Sequence, residues 1–344
     1  MKKILVTGGT GYIGSHTVVE LQNAGYQVVI VDNLSNSYPD VIDNIETITG
    51  IRPLFEKVDL KDREKTLKVF KDHKEIEAII HFAALKAVGE SVEIPLDYYK
   101  NNLDSLIHLL EGMREYKVKH LVFSSSCTVY GEPDHLPVDE NAPIKKANSP
   151  YGNTKQICEE IMQDFRIPNP EFNVISLRYF NPIGAHPSAL IGELPIGVPN
   201  NLVPFITQTA IGIREQLSVF GDDYNTPDGS AIRDYINVVD LARAHVVAIE
   251  RLLNGKNTSG FEVFNLGTGK GNSVFEVIKA FEKVSETNLN YKVVGRREGD
   301  VEQVYADTRY ANEVLGWKAE KDLEETLKTA WQWEQHYRSL QEKK

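Results

Sequence analysis

The stretch TGGTGYIG, residues 7–14, follows the apolar run KKILV and precedes a helical pattern. It spaces its glycines as Gly9-x-Gly11-x-x-Gly14, with Gly8 in front. Such glycines permit a tight turn and bring the backbone close to a pyrophosphate, which the free N–H groups at the start of the next helix can bind. The glycine pattern is weak by itself, so the strand before it and the helix after it decide the prediction of a dinucleotide-binding turn.

An acidic residue supports this prediction. Asp32 ends the second apolar run, QVVIVD, where a carboxylate can accept hydrogen bonds from the ribose hydroxyls of adenosine. The same carboxylate repels a 2′-phosphate, so the sequence favours NAD over NADP. The alternative is a purely structural turn followed by an Asp that ends a strand.

The first half of the chain alternates apolar runs with helical patterns. The runs predicted as strands are 2–7, 27–32, 53–58, 78–83, 120–125 and 173–178. Buried strands separated by helices predict parallel βαβ units. We therefore expect an α/β fold, a Rossmann-type doubly wound parallel sheet, with an NAD-binding domain over residues 1–180.

The second half lacks this regular alternation of apolar runs and helical patterns. After residue 180 come a stretch rich in Pro and Gly, a polar segment at 221–234 predicted as a loop, and a helix from about Val239. A chain of 344 residues is long enough for a second lobe. We expect a smaller α/β substrate-binding lobe over residues 181–344, with part of 235–265 packing back on the first domain.

The composition excludes several classes of function. A net charge of −11 argues against a broad nucleic-acid interface, which needs a basic patch. Cys127 and Cys158 have no metal-ligand spacing, so we predict neither a zinc site nor a disulfide framework. No apolar run resembles a signal peptide or reaches membrane-spanning length, so we expect a cytoplasmic protein without a membrane partner.

The stretch SPYGNTK, residues 149–155, predicts an acid–base centre. Ser149 fits a helix N-cap and Pro150 a first-turn proline, which places Tyr151 and Lys155 on one helical face. Lowering the pKa of a tyrosine from about 10 to about 7 requires roughly 4 kcal/mol, which a nearby ammonium and a cationic nicotinamide can supply in a partly dry cleft. The alternative is an ordinary helix surface.

A serine run, HLVFSSSCTVYG, ends the fifth predicted strand. In a doubly wound sheet, ligands bind beyond the carboxyl ends of the strands. Ser126 is therefore expected to hydrogen-bond the substrate hydroxyl whose proton Tyr151 removes. Ser124 and Ser125 fit ordinary turn chemistry at the end of a strand.

Together these motifs resemble the extended short-chain dehydrogenase/reductases, and within them the UDP-glucose 4-epimerases. The segments that resemble the family run from residue 4 to about 317 and are TGGTGYIGSH, VVDNLSNS, HFAALKAVGESV, SSSCTVYG, SPYGNTK, LRYFNPIGAHP, NNLVPFI, DGSAIRDYI and RREGD. The resemblance implies a homodimeric isomerase with tightly bound NAD+ that interconverts UDP-galactose and UDP-glucose. Tyr151 would remove the 4-hydroxyl proton as a hydride leaves C4, and the 4-keto sugar would then take the hydride back on its other face.

The resemblance also implies which residues bind each ligand. Lys155 would lower the pKa of Tyr151 and hold the nicotinamide ribose. The implied cofactor-binding residues are Gly8, Gly11, Tyr12, Ile13, Gly14, Asp32, Asn33, Asn36, Ser37, Asp59, Leu60, Phe82, Ala83, Lys86, Asn101, Tyr151, Lys155 and Phe180. The implied substrate-binding residues are Ser126, Tyr151, Asn181, Asn201, Leu202, Arg233, Arg297, Asp300 and Val304. No metal is implied.

Several of these assignments have a structural alternative. Asp59 fits a helix N-cap equally well. Lys86 can be an exposed loop lysine. Arg233 and Arg297 suit a diphosphate, because a planar guanidinium binds two oxygens, but an Arg commonly forms a surface salt bridge instead.

Related enzymes differ at two positions before Val-Tyr-Gly. The 4,6-dehydratases usually have an Asp-Glu pair there, and UDP-glucuronate decarboxylases have a Glu at the second position. Cys127 and Thr128 stand here and neither can act as a carboxylic acid, so elimination and decarboxylation are disfavoured. UDP-glucuronate 4-epimerase remains an alternative, as does a non-catalytic NAD-binding regulator, although such regulators typically lose the tyrosine or the lysine.

Two further expectations follow from the resemblance. Val304 stands four residues after Asp300, where the family sizes its hexose pocket, and a residue smaller than tyrosine predicts UDP-GlcNAc and UDP-GalNAc as second substrates. A homodimer would pack through helices near 95–115 and 150–167. The apolar stripe at 103–113 is equally compatible with burial against the chain's own sheet.

Overall fold

The computed structural model describes residues 1–297 and 300–342. Glu298 and Gly299 of the RREGD motif lie outside the described residues, as do Lys343 and Lys344. Within the described ranges, no helix is both long enough and apolar enough to cross a lipid bilayer.

The first half of the chain alternates strands and helices. Its strands are β1 (Lys3–Thr7), β2 (Gln27–Asp32), β3 (Leu54–Lys57), β4 (Ile76–His81), β5 (His120–Ser126) and β6 (Asn173–Tyr179). Its helices are α1 (Tyr12–Asn23), α2 (Asp40–Thr49), α3 (Arg63–Asp72), α4 (Val88–Glu93), α5 (Pro95–Tyr116) and α6 (Pro150–Arg166), with a short 3-10 turn at Cys127–Tyr130.

The second half has shorter strands and more loop. Its strands are β7 (Asn181–Ile183), β8 (Leu217–Phe220), β9 (Ile232–Asn237), β10 (Phe261–Leu266), β11 (Gly271–Ser273), β12 (Tyr291–Val294) and β13 (Gln303–Val304). Its helices are α7 (Leu202–Ala210), α8 (Val238–Leu253), α9 (Val274–Ser285) and α10 (Leu323–Gln341), with a short helical turn at Ala311–Leu315.

Seven strands form one parallel sheet in the order β10-β6-β5-β4-β1-β2-β3. Its central strands are buried on both faces, as Ile4, Leu5, Val29 and Ile30 show. The strand order reverses between β1 and β4, which in an open α/β sheet creates the ligand-binding crevice at the carboxyl ends. The predicted doubly wound fold is confirmed.

Part of the second half joins this sheet. β10 pairs in parallel with β6, from Phe261 opposite Val174 to Leu266 opposite Tyr179. Helix α8 packs against α1. The remaining strands form a four-stranded sheet of β7, β9, β11 and β13 and a two-stranded sheet of β8 and β12.

Several predicted strand bounds differ from the structure by one or two residues. Strand pairing explains two of the differences. The fourth strand was expected at 78–83 but ends at His81, because its partner β1 ends opposite it at Thr7. Phe82 and Ala83 therefore lie in the loop that follows. The segment 221–234 was expected to be a loop throughout, but β9 begins at Ile232 because β11 and β13 pair with it on either side.

Candidate active site

The glycine turn between β1 and α1 is lined by backbone. Gly8 has a φ of +70°, and a Cβ there would lie 2.8 Å from the Ala83 nitrogen. At Gly14 a Cβ would lie 2.1 Å from the Gly8 carbonyl oxygen. Side chains at these positions would clash with the backbone of the turn and of the loop after β4, so only glycine lets the turn close this tightly. Such a turn leaves the backbone N–H groups at the start of α1 able to bind a pyrophosphate.

Asp32 lies beside this turn, at the end of β2. Its Oδ1 accepts a hydrogen bond from the Leu34 nitrogen at 2.8 Å, and its Oδ2 accepts one from the Thr10 nitrogen at 3.3 Å. The Ser37 hydroxyl donates to Oδ1 at 3.4 Å and bonds the Thr10 hydroxyl at 2.7 Å. The carboxylate therefore fixes the loop after β2 against the glycine turn, the position from which an NAD ribose is recognised.

The other residues expected to bind the cofactor occupy the carboxyl edge of the sheet or the helices next to it. Ile13 is in α1, Asn33 and Asn36 follow β2, Leu60 follows β3, Phe82 and Ala83 follow β4, Asn101 is in α5, and Phe180 follows β6. The Tyr12 hydroxyl donates to the Gly184 carbonyl at 2.6 Å, which links α1 to the loop after β7.

The structure decides between the two interpretations of Asp59. Helix α3 begins after Asp62, whose side chain accepts a hydrogen bond from the Lys65 nitrogen at 3.1 Å. Asp59 accepts instead from the Lys61 nitrogen at 3.0 Å, one turn before the helix. The N-cap interpretation of Asp59 is wrong because Asp62 holds that position, and Asp59 remains a candidate for cofactor contact.

Helix α6 presents the Tyr-x-x-x-Lys pair. The predicted cap is confirmed, because the Ser149 hydroxyl accepts a hydrogen bond from the Gly152 nitrogen at 3.1 Å and Pro150 is the first helical residue. Lys155 is buried, and its Nζ donates to the Ser124 carbonyl at 2.6 Å and lies 5.9 Å from the centre of the Tyr151 ring. Helix α6 is thus joined to the end of β5, whose last residue is Ser126.

Burial changes the proton affinities of both side chains. It lowers the pKa of Lys155 to about 8. It also raises the pKa of Tyr151 above its ordinary value, with a smaller contribution from Tyr179, while a hydrogen bond with Ser126 lowers it. The chain by itself therefore does not produce the lowered tyrosine pKa that the sequence motif predicts, and a cation bound in the cleft would oppose the effect of burial.

The residues expected to bind the diphosphate converge on one carboxylate. Nη2 of Arg233 lies 2.7 Å from Oδ1 of Asp300, and Nη2 of Arg297 lies 3.1 Å from the same oxygen. Arg233 and Asp300 are mostly buried, whereas more than half of the Arg297 side chain is exposed. The salt bridges that were the alternative for these two arginines therefore exist. Their acidic partner is Asp300, which the family resemblance places in the same substrate site.

Val304 lies next to this cluster. It pairs with Arg233 between β13 and β9 and is buried in an apolar group with Val129, Tyr130, Val138, Phe180 and Ala306. Cys127 packs against that group, and burial raises the pKa of its thiol to about 12. The wall around Val304 is therefore uncharged and mostly apolar, and Val304 is one of its shorter side chains.

Asn181 and Leu202 are the first residues of β7 and α7, and Asn201 precedes Leu202. The Asn201 amide donates to Oε1 of Glu193 at 2.5 Å, and the same oxygen lies 3.6 Å from Nζ of Lys86. Glu193 was missed from the sequence because it lies in an aperiodic Pro- and Gly-rich stretch. It connects a candidate cofactor residue with a candidate substrate residue.

Comparisons with known proteins identify the family. A family model described as GDP-mannose 4,6 dehydratase matches residues 5–330. UDP-glucose 4-epimerase of Bacillus subtilis (strain 168) is 53% identical over 331 residues, which is 96% of this chain and 96% of the relative. The chain belongs to the UDP-glucose 4-epimerase family. Its activity is the reversible, NAD-dependent C4 epimerisation of UDP-glucose and UDP-galactose, as predicted from the sequence motifs.

Two solved structures have the same fold over nearly the whole chain. The UDP-glucose 4-epimerase from Bifidobacterium longum, in complex with NAD+ and UDP, has a TM-score of 0.94 and 45% identity, covering 98% of this chain and 99% of its own. The enzyme from Stenotrophomonas maltophila, with bound NAD and formylated UDP-arabinopyranose, has a TM-score of 0.95 and 46% identity, covering 99% and 100%. The dehydratase activity named by the family model needs a carboxyl group that Cys127 and Thr128 lack.

Proposed function

We propose that Tyr151, Ser126 and Lys155 perform the acid–base chemistry of C4 epimerisation. The observation that supports this most directly is that α6 and the end of β5 bring these three side chains together at the carboxyl edge of the sheet. Tyr151 takes the proton of the substrate 4-hydroxyl and later returns it. Ser126 holds the same oxygen by a hydrogen bond, and Lys155 keeps a positive charge beside the phenol.

The cofactor site consists of the glycine cradle and the loops that follow β2, β3 and β4. The backbone at Gly8, Gly11 and Gly14 would hold the pyrophosphate, and Asp32 the adenosine ribose. NAD+, when bound, supplies the acceptor for the C4 hydride and a positive charge. That charge opposes the burial that raises the pKa of Tyr151.

The cluster of Arg233, Arg297 and Asp300 would hold the nucleotide part of the substrate. In the structure Asp300 neutralises both guanidinium groups. A diphosphate would take over their charge-assisted hydrogen bonds and leave Asp300 free to accept from the uridine ribose hydroxyls. Asn181 and Asn201 would contact the sugar and the diphosphate.

These assignments place NAD and the UDP-sugar in two different lobes. Residues 1–180, together with α8 and β10, would form the NAD-binding domain, and the rest of residues 181–344 the UDP-sugar lobe. The pairing of β10 with β6 and the packing of α8 on α1 support that division. We further propose a cytoplasmic location, which the free thiols of Cys127 and Cys158 support.

The short side chain of Val304 extends the proposal to 2-acetamido sugars. Val304 is buried beside Cys127 and Phe180, next to the arginine that would hold the diphosphate. Replacing a tyrosine by valine at such a position leaves space in which an N-acetyl group can fit. UDP-GlcNAc and UDP-GalNAc are therefore proposed as second substrates.

Purified protein without added NAD is expected to convert UDP-galactose and UDP-GalNAc to their 4-epimers. Chromatography of the UDP-sugars measures the conversion. Val304→Tyr is expected to lower kcat/KM for UDP-GalNAc at least about 100-fold, because a phenol ring fills the acetamido space, and to change the value for UDP-galactose less than about threefold. Val304→Ala serves as the matched control and should keep both activities. A Val304→Tyr variant with both activities intact would show that Val304 does not control sugar size.

We propose a homodimer that packs through α5 and α6. The buried face of α5, which includes Leu106, Leu109 and Leu110, packs on the chain's own sheet, whereas Leu96 and Ile107 on the same helix are exposed. Exposed apolar side chains on one helix favour an interface. Light scattering is expected to give twice the chain mass of 38.7 kDa, and Leu96→Glu to shift it towards one chain mass. A monomeric parent protein would contradict this proposal.

A further inference from the structure

A buried ion pair joins α6, one turn after Lys155, to strand β6. Glu159 and Arg178 are 4% and 6% exposed, and the guanidinium binds the carboxylate with both Nε, at 3.1 Å, and Nη2, at 2.5 Å. Glu159 is in α6, and Arg178 is in β6. The ion pair therefore fixes the position of α6 relative to the central sheet.

Two serine hydroxyls also donate hydrogen bonds to the Glu159 carboxylate. Oε1 of Glu159 also accepts hydrogen bonds from the Ser125 hydroxyl at 2.6 Å and from the Ser176 hydroxyl at 2.7 Å. Ser125 stands between Ser124, whose carbonyl holds Lys155, and the candidate catalytic Ser126. The carboxylate thus binds the strand that bears one catalytic group and belongs to the helix that bears the other two.

The guanidinium extends the network on its other side. Nη1 of Arg178 donates to the Tyr130 hydroxyl at 2.9 Å, and that hydroxyl donates to Oδ1 of Asn265 at 2.7 Å. Tyr130 ends the short turn that contains Cys127, and Asn265 is in β10. The loop beside the sugar pocket is therefore held by the same arginine.

We propose that Glu159 and Arg178 are positioning residues of the epimerisation reaction, which set the distance between Tyr151 on α6 and Ser126 on β5. This inference rests on the roles proposed above for those two side chains. Proton transfer needs the phenol oxygen and Ser126 to reach one substrate oxygen together, and a displacement of about 1 Å in such a geometry can cost 100-fold in rate. The proposed contacts to the diphosphate, at Arg233, and to the adenosine ribose, at Asp32, lie on other elements, so binding of the nucleotide parts should change less than the rate.

The same protein contains a matched control. Arg251 and Glu262 also form a buried pair, with Nε at 2.7 Å and Nη2 at 2.9 Å from the two carboxylate oxygens. This pair joins α8 to β10, and none of its recorded partners is a catalytic candidate. Breaking either pair leaves an unbalanced buried cation, so both changes should lower stability.

The test compares Glu159→Gln with Glu262→Gln, assayed well below both melting temperatures. We expect both variants to melt earlier, but only Glu159→Gln to lower kcat for UDP-galactose, by about tenfold or more. KM and the amount of NAD retained on purification should change less than about twofold in both. Equal kcat values for the two variants would overturn the proposal.

Milder and double variants separate position from stability. Ser125→Ala and Ser176→Ala each remove one hydrogen bond to Glu159 and leave the ion pair in place, so they remain informative if Glu159→Gln does not fold. We expect each to lower kcat about two- to fivefold at unchanged NAD content. Glu159→Leu combined with Arg178→Met removes both charges and should restore stability but not kcat. Recovery of kcat together with stability would reduce the pair to a structural role.

The two proposals fail in different ways. If Tyr151→Phe keeps its activity, the proposed acid–base roles are wrong whatever Glu159 does. If Tyr151→Phe is inactive while Glu159→Gln and both serine variants keep full kcat, the acid–base roles stand and the positioning role is wrong.

Discussion

Replacing Tyr151 by Phe is expected to lower kcat for UDP-galactose about 1,000-fold, with KM changed less than about threefold. The variant keeps the ring, so the packing of α6 on β5 should survive. It loses the one group among Tyr151, Ser126 and Lys155 that can act as the base. The Lys155 ammonium already donates to the Ser124 carbonyl, and the Ser126 hydroxyl is a far weaker acid than a phenol. Steady-state kinetics on purified protein measures both constants.

Two controls accompany that measurement. The amount of NAD retained by Tyr151→Phe and its affinity for UDP should stay close to those of the parent protein, because the proposed contacts to the pyrophosphate and adenosine of NAD and to the diphosphate of UDP do not involve the phenol oxygen. Ser126→Ala should cost less, about 10- to 100-fold in kcat, since it removes an orienting hydrogen bond and leaves the base. A Tyr151→Phe variant with more than a tenth of the parent kcat would contradict the assignment.

The direction of the Tyr151 pKa explains why this tyrosine would act only in a loaded site. Burial raises its pKa, so the protein alone keeps the phenol protonated at neutral pH. The nearby Lys155 holds its own proton, and therefore its positive charge, less firmly than an exposed lysine, because burial lowers its pKa to about 8. Positive charge bound in the cleft is the remaining means of stabilising the phenolate, which ties proton removal to the presence of the cofactor.

Local features of the chain could be predicted from its sequence. The glycine turn, Asp32 and the capped helix at Ser149 and Pro150 each depend on residues close together along the chain, and on backbone rules that apply to any protein. The buried strands were recognised for the same reason, although some of their ends were not. The end of β4 is set by its partner β1, which lies about 70 residues earlier.

Features that depend on distant pairs were missed. Arg178 ends an apolar run that reads as an ordinary buried strand, and its partner Glu159 lies on a helix 19 residues earlier. A charged residue in such a run indicates that a counter-charge must exist, but not where it lies. Strand β9 was missed for a related reason, since IRDYIN has polar residues that become strand only because β7, β11 and β13 pair with it.

Acid is expected to destabilise this protein steeply, because three histidines are buried in neutral form. Burial lowers the pKa of His16 and His81 to about 3 and that of His245 to about 4. Each ring has one nitrogen bonded internally: His16 to the Tyr12 carbonyl, His245 to the Leu241 carbonyl, and His81 to the Thr7 hydroxyl. Within the described part of the chain, Nε2 of His16 and of His245 has no hydrogen-bond partner.

The sign of the effect follows from proton binding. In the unfolded chain these histidines have a pKa of about 6.5, so below that pH the unfolded state binds protons that the folded state does not. The stability they provide is therefore fully present above pH 6.5 and is lost as the pH falls towards 4. Each contributes up to about 1.4 kcal/mol per pH unit, so the three together remove about 6 kcal/mol between pH 7 and pH 5. That is a large part of a typical folding free energy of about 5–15 kcal/mol.

Urea unfolding at pH 7, 6 and 5 measures this loss directly, and one variant assigns it. His245 is fully buried between Phe82 and Tyr179, and His245→Gln keeps an amide that can donate to the Leu241 carbonyl without titrating. The variant should be less stable at pH 7 because the new side chain packs poorly, yet its stability should fall less steeply with acid, by about 1.4 kcal/mol per pH unit. His135 is exposed, so His135→Asn should leave the pH dependence unchanged. An unaltered slope in His245→Gln would mean that buried carboxylates, rather than these histidines, control the acid lability.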